Sequence, residues 1–425
     1  MKFYLILFIL FFLPLKFQLL GQLNPNPPVE TVRLVFIHHS VGEDWLKPEM
    51  GDLIESLNTN NYYVFDTNYD WGPNDQDVND GNPIGYHTDI GHWYNWFLGP
   101  HRDIYLTALY NNNHLSPSCV NSDSLILPPG ENIIVMFKSC FSSAQVIYGD
   151  TIDQPLPVGE INLLYGKGVE VDTVYTVSNI KGLYRDLLTY FATRQDKLFI
   201  LITIPPSFQG AADEGMIKLR AINNWLVYNL LENYPYKNVS VFDFSNVLTS
   251  NGGNPNINDA GQVTGNHHRF RNGIIEHTNN GNIFLTYPSY DSLSGTWDNH
   301  PTAAGLKKAT IEFVPLLNIA YNRWKSSTKV ENFPTVSNKT FRVNQNWPNP
   351  FNNFTIFEFY LPYNSYTSLK IFDINGREIT SLINNHLNAG YHTIKFDANN
   401  LSSGVYFYSF KADNFQKFDK MVILK

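Results

Sequence analysis

The sequence predicts an α/β domain on a parallel sheet followed by a small all-β sandwich, and three observations carry that expectation. Short, nearly continuous apolar runs recur at "ENIIVMFKSC" (131–140), "DKLFILITIPP" (196–206) and "KNVSVFDFSNV" (237–247), the pattern of parallel strands buried on both faces. Between and after them, "VSNIKGLYRDLLTYFATRQ", "DEGMIKLRAINNWLVYNLLENY" and "TAAGLKKATIEFVPLLNIAYNRW" have apolar residues at i, i+3 and i+4 and read as helices. Strand and helix in alternation imply an open sheet covered on both faces. From residue 341 the apolar period becomes two, with "NGRE" and "SSG" as turn signals, which predicts about seven antiparallel strands.

The chain opens on "MKFYLILFILFFLPLKFQLLGQ". Lys2, the apolar run Phe3 to Phe12 and a small-residue exit read as a signal peptide over 1–21, too short to cross a bilayer. Residues 22–30, "QLNPNPPVE", form a Pro-rich leader; 31–326 is the α/β domain, 327–340 a polar linker and 341–425 the sandwich. No transmembrane helix is expected in the mature chain.

With 425 residues, 43% hydrophobic and 15% aromatic, there is material for a large core. The formal charge of −8 becomes −10 without Lys2 and Lys16, and the sandwich itself carries +2. Such an acidic exported chain is a poor partner for nucleic acid. The two cysteines, Cys119 and Cys140, exclude a disulfide-rich scaffold and a four-cysteine zinc site, and leave open whether they form one bridge.

Chemistry concentrates at two corners. "TVRLVF" reads as a strand that runs into "IHHSVGEDWL", setting Ser40 where an apolar run stops and Gly42 follows, and "VGEDWLKPEMGDLIESL" reads as a turn opening a helix. A strand-to-helix serine is a position where hydrolases hold a nucleophile. It needs a base, and the base an orienting acceptor. "TWDNHPTAAG" (296–305) offers Asp298 and His300 just before a helix entry at Pro301 and Thr302. A loop at the C-terminal edge of the sheet would face Ser40. His38 and His39 alternate faces beside the serine, and either is a competing base. Lys138 ends a buried strand, where a charge is costly unless paired or used.

Two long, aromatic, turn-rich segments, 58–103 and 251–297, break the rhythm and are expected to wall or cover a site. Trp71, Trp93 and Trp96 in the first would offer ring faces to sugars. His87, Asp89 and His92 lie at i, i+2 and i+5, which does not converge them on one helical face, so no metal is expected there; a serine mechanism would need no cofactor either. "HHRFRNGIIEH" (267–277) is basic and reads either as an anion site or as a solvated loop.

"HHSVG" and "DNHPTAAG" together resemble the first and last blocks of the SGNH/GDSL hydrolases, and "FKSC" and "LITIPP" resemble a secreted bacterial subgroup with "HHS", "KSC" and "HP" motifs. The resemblance spans most of 31–325 through short blocks. It implies a flavodoxin-like three-layer domain with Ser40 as nucleophile, His300 as general base and Asp298 orienting it. The chain departs from the pattern: Asp298 lies two rather than three residues before the histidine, no "GDS" is present, and no "GxND" block supplies an oxyanion asparagine. Lys138, Ser139, His39, Gly42, Trp71, His92 and Trp93 are then the oxyanion or substrate-binding candidates.

"NQNWPNPFNNFTIFEFYLP", "LKIFDINGREITSL", "NAGYHTIKFDANNLSSGVYFYSF" and the terminal "KMVILK" resemble the type A C-terminal sorting domain of the type IX (Por) secretion system. That resemblance implies passage through the periplasm, the type IX machinery as partner, and a product secreted or attached to the outer-membrane surface. The combined expectation is a serine esterase acting on a carbohydrate ester. The alternative is a non-catalytic surface protein that binds a polysaccharide on a decayed hydrolase fold.

Overall fold

The computed structural model describes residues 23–111, 121–122, 125–144, 146–206, 214–250, 266–278, 285–286, 290–291, 296–297, 300–328, 341–343, 345–346, 349–388 and 390–425. The signal-peptide segment, Cys119, Asp298 and most of the linker lie outside the described residues.

Five strands form one parallel sheet: β1 (Val32–Ile37), β2 (Tyr62–Thr67), β3 (Ile134–Phe137), β4 (Leu198–Ile202) and β5 (Val239–Phe242), in spatial order β2-β1-β3-β4-β5. Registers such as Ile37↔Thr67 and Ile37↔Phe137 bring the C-terminal ends of neighbouring strands to one edge. Every residue of β1, β3 and β4 is buried, which accounts for the unbroken apolar runs.

The helices are α1 (Val41–Leu46), α2 (Leu53–Thr59), α3 (Trp93–Phe97), α4 (Arg102–Asn111), α5 (Val177–Ala192), α6 (Glu214–Tyr228), α7 (Phe244–Val247) and α8 (Ala303–Thr328). Side chains alternate along β1. Val35 and Ile37 join a core with α3, α4, α5 and α6, while Leu34 and Phe36 join a second core with α1, α2, α7 and α8. The domain is therefore a sheet between two helical layers. Burial on this scale, at about 1.5–3 kcal/mol for each large side chain, is the main favourable term.

Two expectations are corrected. The single helix after Ser40 is two helices: Lys47 is extended before Pro48, as a residue preceding proline prefers. At Gly51 the chain then passes so near Trp45 that a β-carbon would fall 2.2 Å from its carbonyl oxygen. The segment 58–103 is not all wall, since "YYVFDT" is the edge strand β2, paired in parallel with β1 over six residues. Its asparagine-rich flanks hid a strand signal carried by Tyr62, Val64 and Phe65.

α8 runs back across one face. Its last turns meet the starts of strands: the Arg323 guanidinium donates to the Val239 carbonyl at 3.4 Å, and the Tyr62 hydroxyl to Asn318 at 2.8 Å. The leader is tied to the same end, where Asn318 and Asn322 donate to the carbonyls of Pro25, Asn24 and Asn26.

The C-terminal region is antiparallel. One sheet orders Arg342–Val343, Phe354–Leu361 and Gly390–Asp397; the other orders Glu378–Leu387, Ser365–Phe372, Gly404–Ala412 and Phe415–Ile423. Their inner faces share one core in which Phe357 meets Tyr408 and Phe359 meets Phe410, with ring centroids 4.8 and 4.7 Å apart.

Candidate active site

β1 ends at Ile37 and delivers His38, His39 and Ser40 to the edge where the strands finish. Ser40 caps α1 with φ 50° and ψ −112°. A non-glycine residue there carries roughly 1–3 kcal/mol of backbone strain, so the surroundings must hold it. The Glu43 amide donates to the Ser40 carbonyl at 2.8 Å, and the Gly42 amide to the His39 carbonyl at 3.1 Å. His38 is wholly buried beneath the turn, its Nε2 3.2 Å from the buried carboxylate of Asp66 on β2.

His300 precedes α8, whose entry is fixed by the Leu306 amide donating to the Thr302 carbonyl at 3.0 Å. The Ser40 Oγ and the His300 Nε2 are hydrogen-bonded to each other, although 260 positions separate them in the chain. The sheet order makes this meeting possible, because the start of α8 and the end of β1 share one edge.

The other candidates fall into three groups. His39, Lys138 and Ser139 belong to the immediate surroundings of the pair. His39 is held down to about 3, first by burial and then by Lys138, His38, His92 and His300, so its ring is neutral. Lys138 is buried and lowered by that burial, against the opposing charges of Cys140 and Asp44; its ammonium donates to the Ser139 carbonyl at 3.3 Å and makes no direct ion pair among the described residues. The Ser139 hydroxyl is buried without a hydrogen-bond partner among the described residues. Gly42 packs on His38, and Cys140 is a buried free thiol.

His92 forms the second group. The Asp89 amide donates to its Nδ1 at 3.2 Å, which leaves the proton of the neutral ring on Nε2. Burial, then the charge of His87, holds His92 down to about 3. Asp89 takes hydrogen bonds from Ser143 at 3.4 Å and the Val169 amide at 3.0 Å, and burial pushes its carboxyl up. Among the described residues no three His, Cys, Asp or Glu side chains are gathered to hold a metal ion.

The tryptophans form the third group, and burial moves them away from the wall expected of them. Trp93 is fully buried with its ring edge-on to Phe137, centroids 4.9 Å apart. Trp96 is equally buried, and Trp71 stacks on it at 6.1 Å as a half-buried cover. The aromatic surface near Ser40 is instead made by Tyr69 and Tyr86, which are 36% and 51% exposed with centroids 5.5 Å apart. The Tyr69 hydroxyl lies 2.9 Å from His39 Nδ1. Tyr69 and Asp66 escaped the sequence reading because β2 did; once "YYVFDT" is a strand, "NYDW" falls at the functional edge.

The basic hairpin His267–Arg271 and Ile274–Thr278 has charged side chains paired, mostly with carboxylates of neighbouring elements. His267 lies 2.7 Å from Glu312, Arg269 2.8 Å from Glu276, and His277 Nε2 2.8 Å from Asp243, whose amide donates to His268 at 3.0 Å.

Residues 345–424 match the family of secretion system C-terminal sorting domains. No curated protein matches the chain. Among solved structures, one similar chain is PorZ, an essential bacterial surface component of the type-IX secretion system of Porphyromonas gingivalis, at 18% identity and TM-score 0.15, covering 22% of this chain and 13% of that one. Another is the endo-beta-1,4-mannanase from Thermotoga petrophila, at 12% identity and TM-score 0.17, covering 69% of this chain and 47% of that one. The sorting domain marks the chain as a type IX export product, secreted or attached at the cell surface. No helix among the described residues is long and apolar enough to cross a membrane.

Proposed function

We propose that residues 31–326 form a serine esterase of the SGNH type, acting on a carbohydrate ester through an acyl-enzyme, with 341–425 as its sorting domain. The observation that carries this reading is the hydrogen bond between Ser40 Oγ and His300 Nε2. The strand order β2-β1-β3-β4-β5 supports it, since doubly wound sheets of this order hold ligands beyond the carboxyl ends of their strands.

In this mechanism His300 takes the Ser40 proton as Oγ attacks the ester carbonyl, then returns it to the departing alcohol. Water, deprotonated by the same imidazole, releases the acid. Asp298, two residues before His300, is the proposed orienting carboxylate. Lys138 adds positive potential behind the developing oxyanion, and His92 presents a neutral N–H donor. The exposed Tyr69 and Tyr86 rings supply a ring-binding face suited to a sugar. No cofactor is required.

The test is hydrolysis of p-nitrophenyl acetate by the mature chain, by Ser40→Ala and by His300→Ala. Loss of turnover in both variants is expected. Equal rates in all three would leave a polysaccharide-binding surface protein as the reading.

A further inference from the structure

Attack by Ser40 would place negative charge on the carbonyl oxygen, and that charge needs a preorganised donor. We infer that the Tyr69 phenol is this donor, set in place by His39; the inference rests on the serine-esterase reading above.

Tyr69 lies two residues beyond β2, and β2 pairs with the strand that carries Ser40. Its segment is tied to α1, because the Asn68 side-chain amide donates to Glu43 at 3.0 Å while the Asn68 side-chain oxygen accepts from the Tyr69 amide at 3.0 Å. The phenol therefore shares a mounting with the turn that holds Ser40. Its hydroxyl lies 2.9 Å from Nδ1 of His39, the residue next to Ser40. At 36% exposure it is open to a ligand.

The protonation states agree with donation. Burial and the neighbouring Cys140 push the Tyr69 phenol up to about 12, against the opposing pull of Ser40, so it keeps its proton through the working range. The His39 ring is neutral. With the His39 proton on Nδ1, that N–H donates to the Tyr69 oxygen and leaves the phenolic O–H free to point at the substrate.

The step balances without any further reagent. The bond from Ser40 Oγ to the carbonyl carbon forms, the carbonyl π pair moves to oxygen, and the serine proton passes to His300. Tyr69 hydrogen-bonds the oxyanion and keeps its own proton. Collapse restores the carbonyl and expels the alcohol, which takes the proton from His300.

The experiment compares the mature wild-type chain with Tyr69→Phe, His39→Asn, His39→Leu and Ser40→Ala. Turnover of p-nitrophenyl acetate and the rate at which a fluorophosphonate labels Ser40 by intact mass are both measured. Tyr69→Phe is expected to lower kcat about 100-fold, the typical cost of one oxyanion donor, with KM within about threefold. His39→Asn, which keeps an N–H near the Nδ1 position, should retain far more activity than His39→Leu. Wild-type kcat in Tyr69→Phe, with Ser40→Ala dead, would overturn the role of Tyr69 and leave the esterase reading standing. Equal activity in His39→Leu and wild type would overturn its placement by His39. Absence of turnover and of labelling in the wild type would overturn the esterase reading itself.

Discussion

Gly42 and His38 touch so closely that a β-carbon built on the glycine would lie 2.4 Å from His38 Cβ and 2.7 Å from Cγ. The imidazole fills the space beneath the turn that bears Ser40, and only a residue without a side chain lets α1 descend onto it. Gly42→Ala should cost about 1–3 kcal/mol, the usual penalty of overpacking. A lower thermal midpoint together with reduced kcat is the expected result. An unchanged midpoint would mean that His38 moves aside at little cost.

Removal of either partner of the Ser40–His300 pair should abolish esterase turnover to nearly the same extent. Groups that act as one unit give non-additive losses, so the double variant Ser40→Ala with His300→Ala should be no worse than either single one. Additive losses in kcat/KM would show that the two side chains act separately.

Stability should fall as the solution is acidified. Burial is the first cause holding His92 down to about 3 and His268 down to about 4, against about 6.5 for an imidazole in water. Between those values the unfolded chain binds protons that the folded chain does not, so unfolding is favoured as pH drops from about 6.5 towards 3. Asp243 acts in the same sense at lower pH: burial raises its carboxyl, but the hydrogen bond from His277 and the charges of His277, Arg220 and His268 together outweigh this, and the net shift is downward. Its stabilisation is present above its unfolded value and is lost as pH falls through the folded one. Calorimetry from pH 7 to 4 should show a steadily falling midpoint, and a flat profile would contradict the burial of these rings.

Lys138→Met should leave stability unchanged or raise it. The buried ammonium donates to a backbone carbonyl and makes no direct ion pair among the described residues, and burial outweighs the attraction of Asp44; exchanging a buried charge for an apolar side chain of similar length removes its desolvation cost. A urea midpoint equal to or above that of the wild type is expected. A loss of more than about 1 kcal/mol would reveal a stabilising partner for the charge.

Much of the architecture was legible because parallel strands buried on both faces leave long apolar runs, as in "IIVMF" and "LFILI". The edge strand β2 was not, because tyrosines and asparagines around Val64 imitate a polar loop; pairing with β1 decided its conformation. The meeting of Ser40 and His300 could be anticipated from two corners with matching chemistry. What surrounds them could not. Whether Trp93 faces solvent or Phe137 depends on how the 68–97 segment folds back over the sheet, and no local pattern records that. The proximity of Tyr69 to His39 likewise follows from strand order, a long-range property.

The course of α8 has a consequence for how the protein is displayed. This helix starts beside His300 and runs about 39 Å at 1.5 Å per residue over its 26 residues, passing the first residue of β2 at Asn318 and of β5 at Arg323. The connection to the sorting region thus departs from the pole opposite Ser40. The two ends of α8 divide the domain's work: one borders the serine, and the other carries the chain onward.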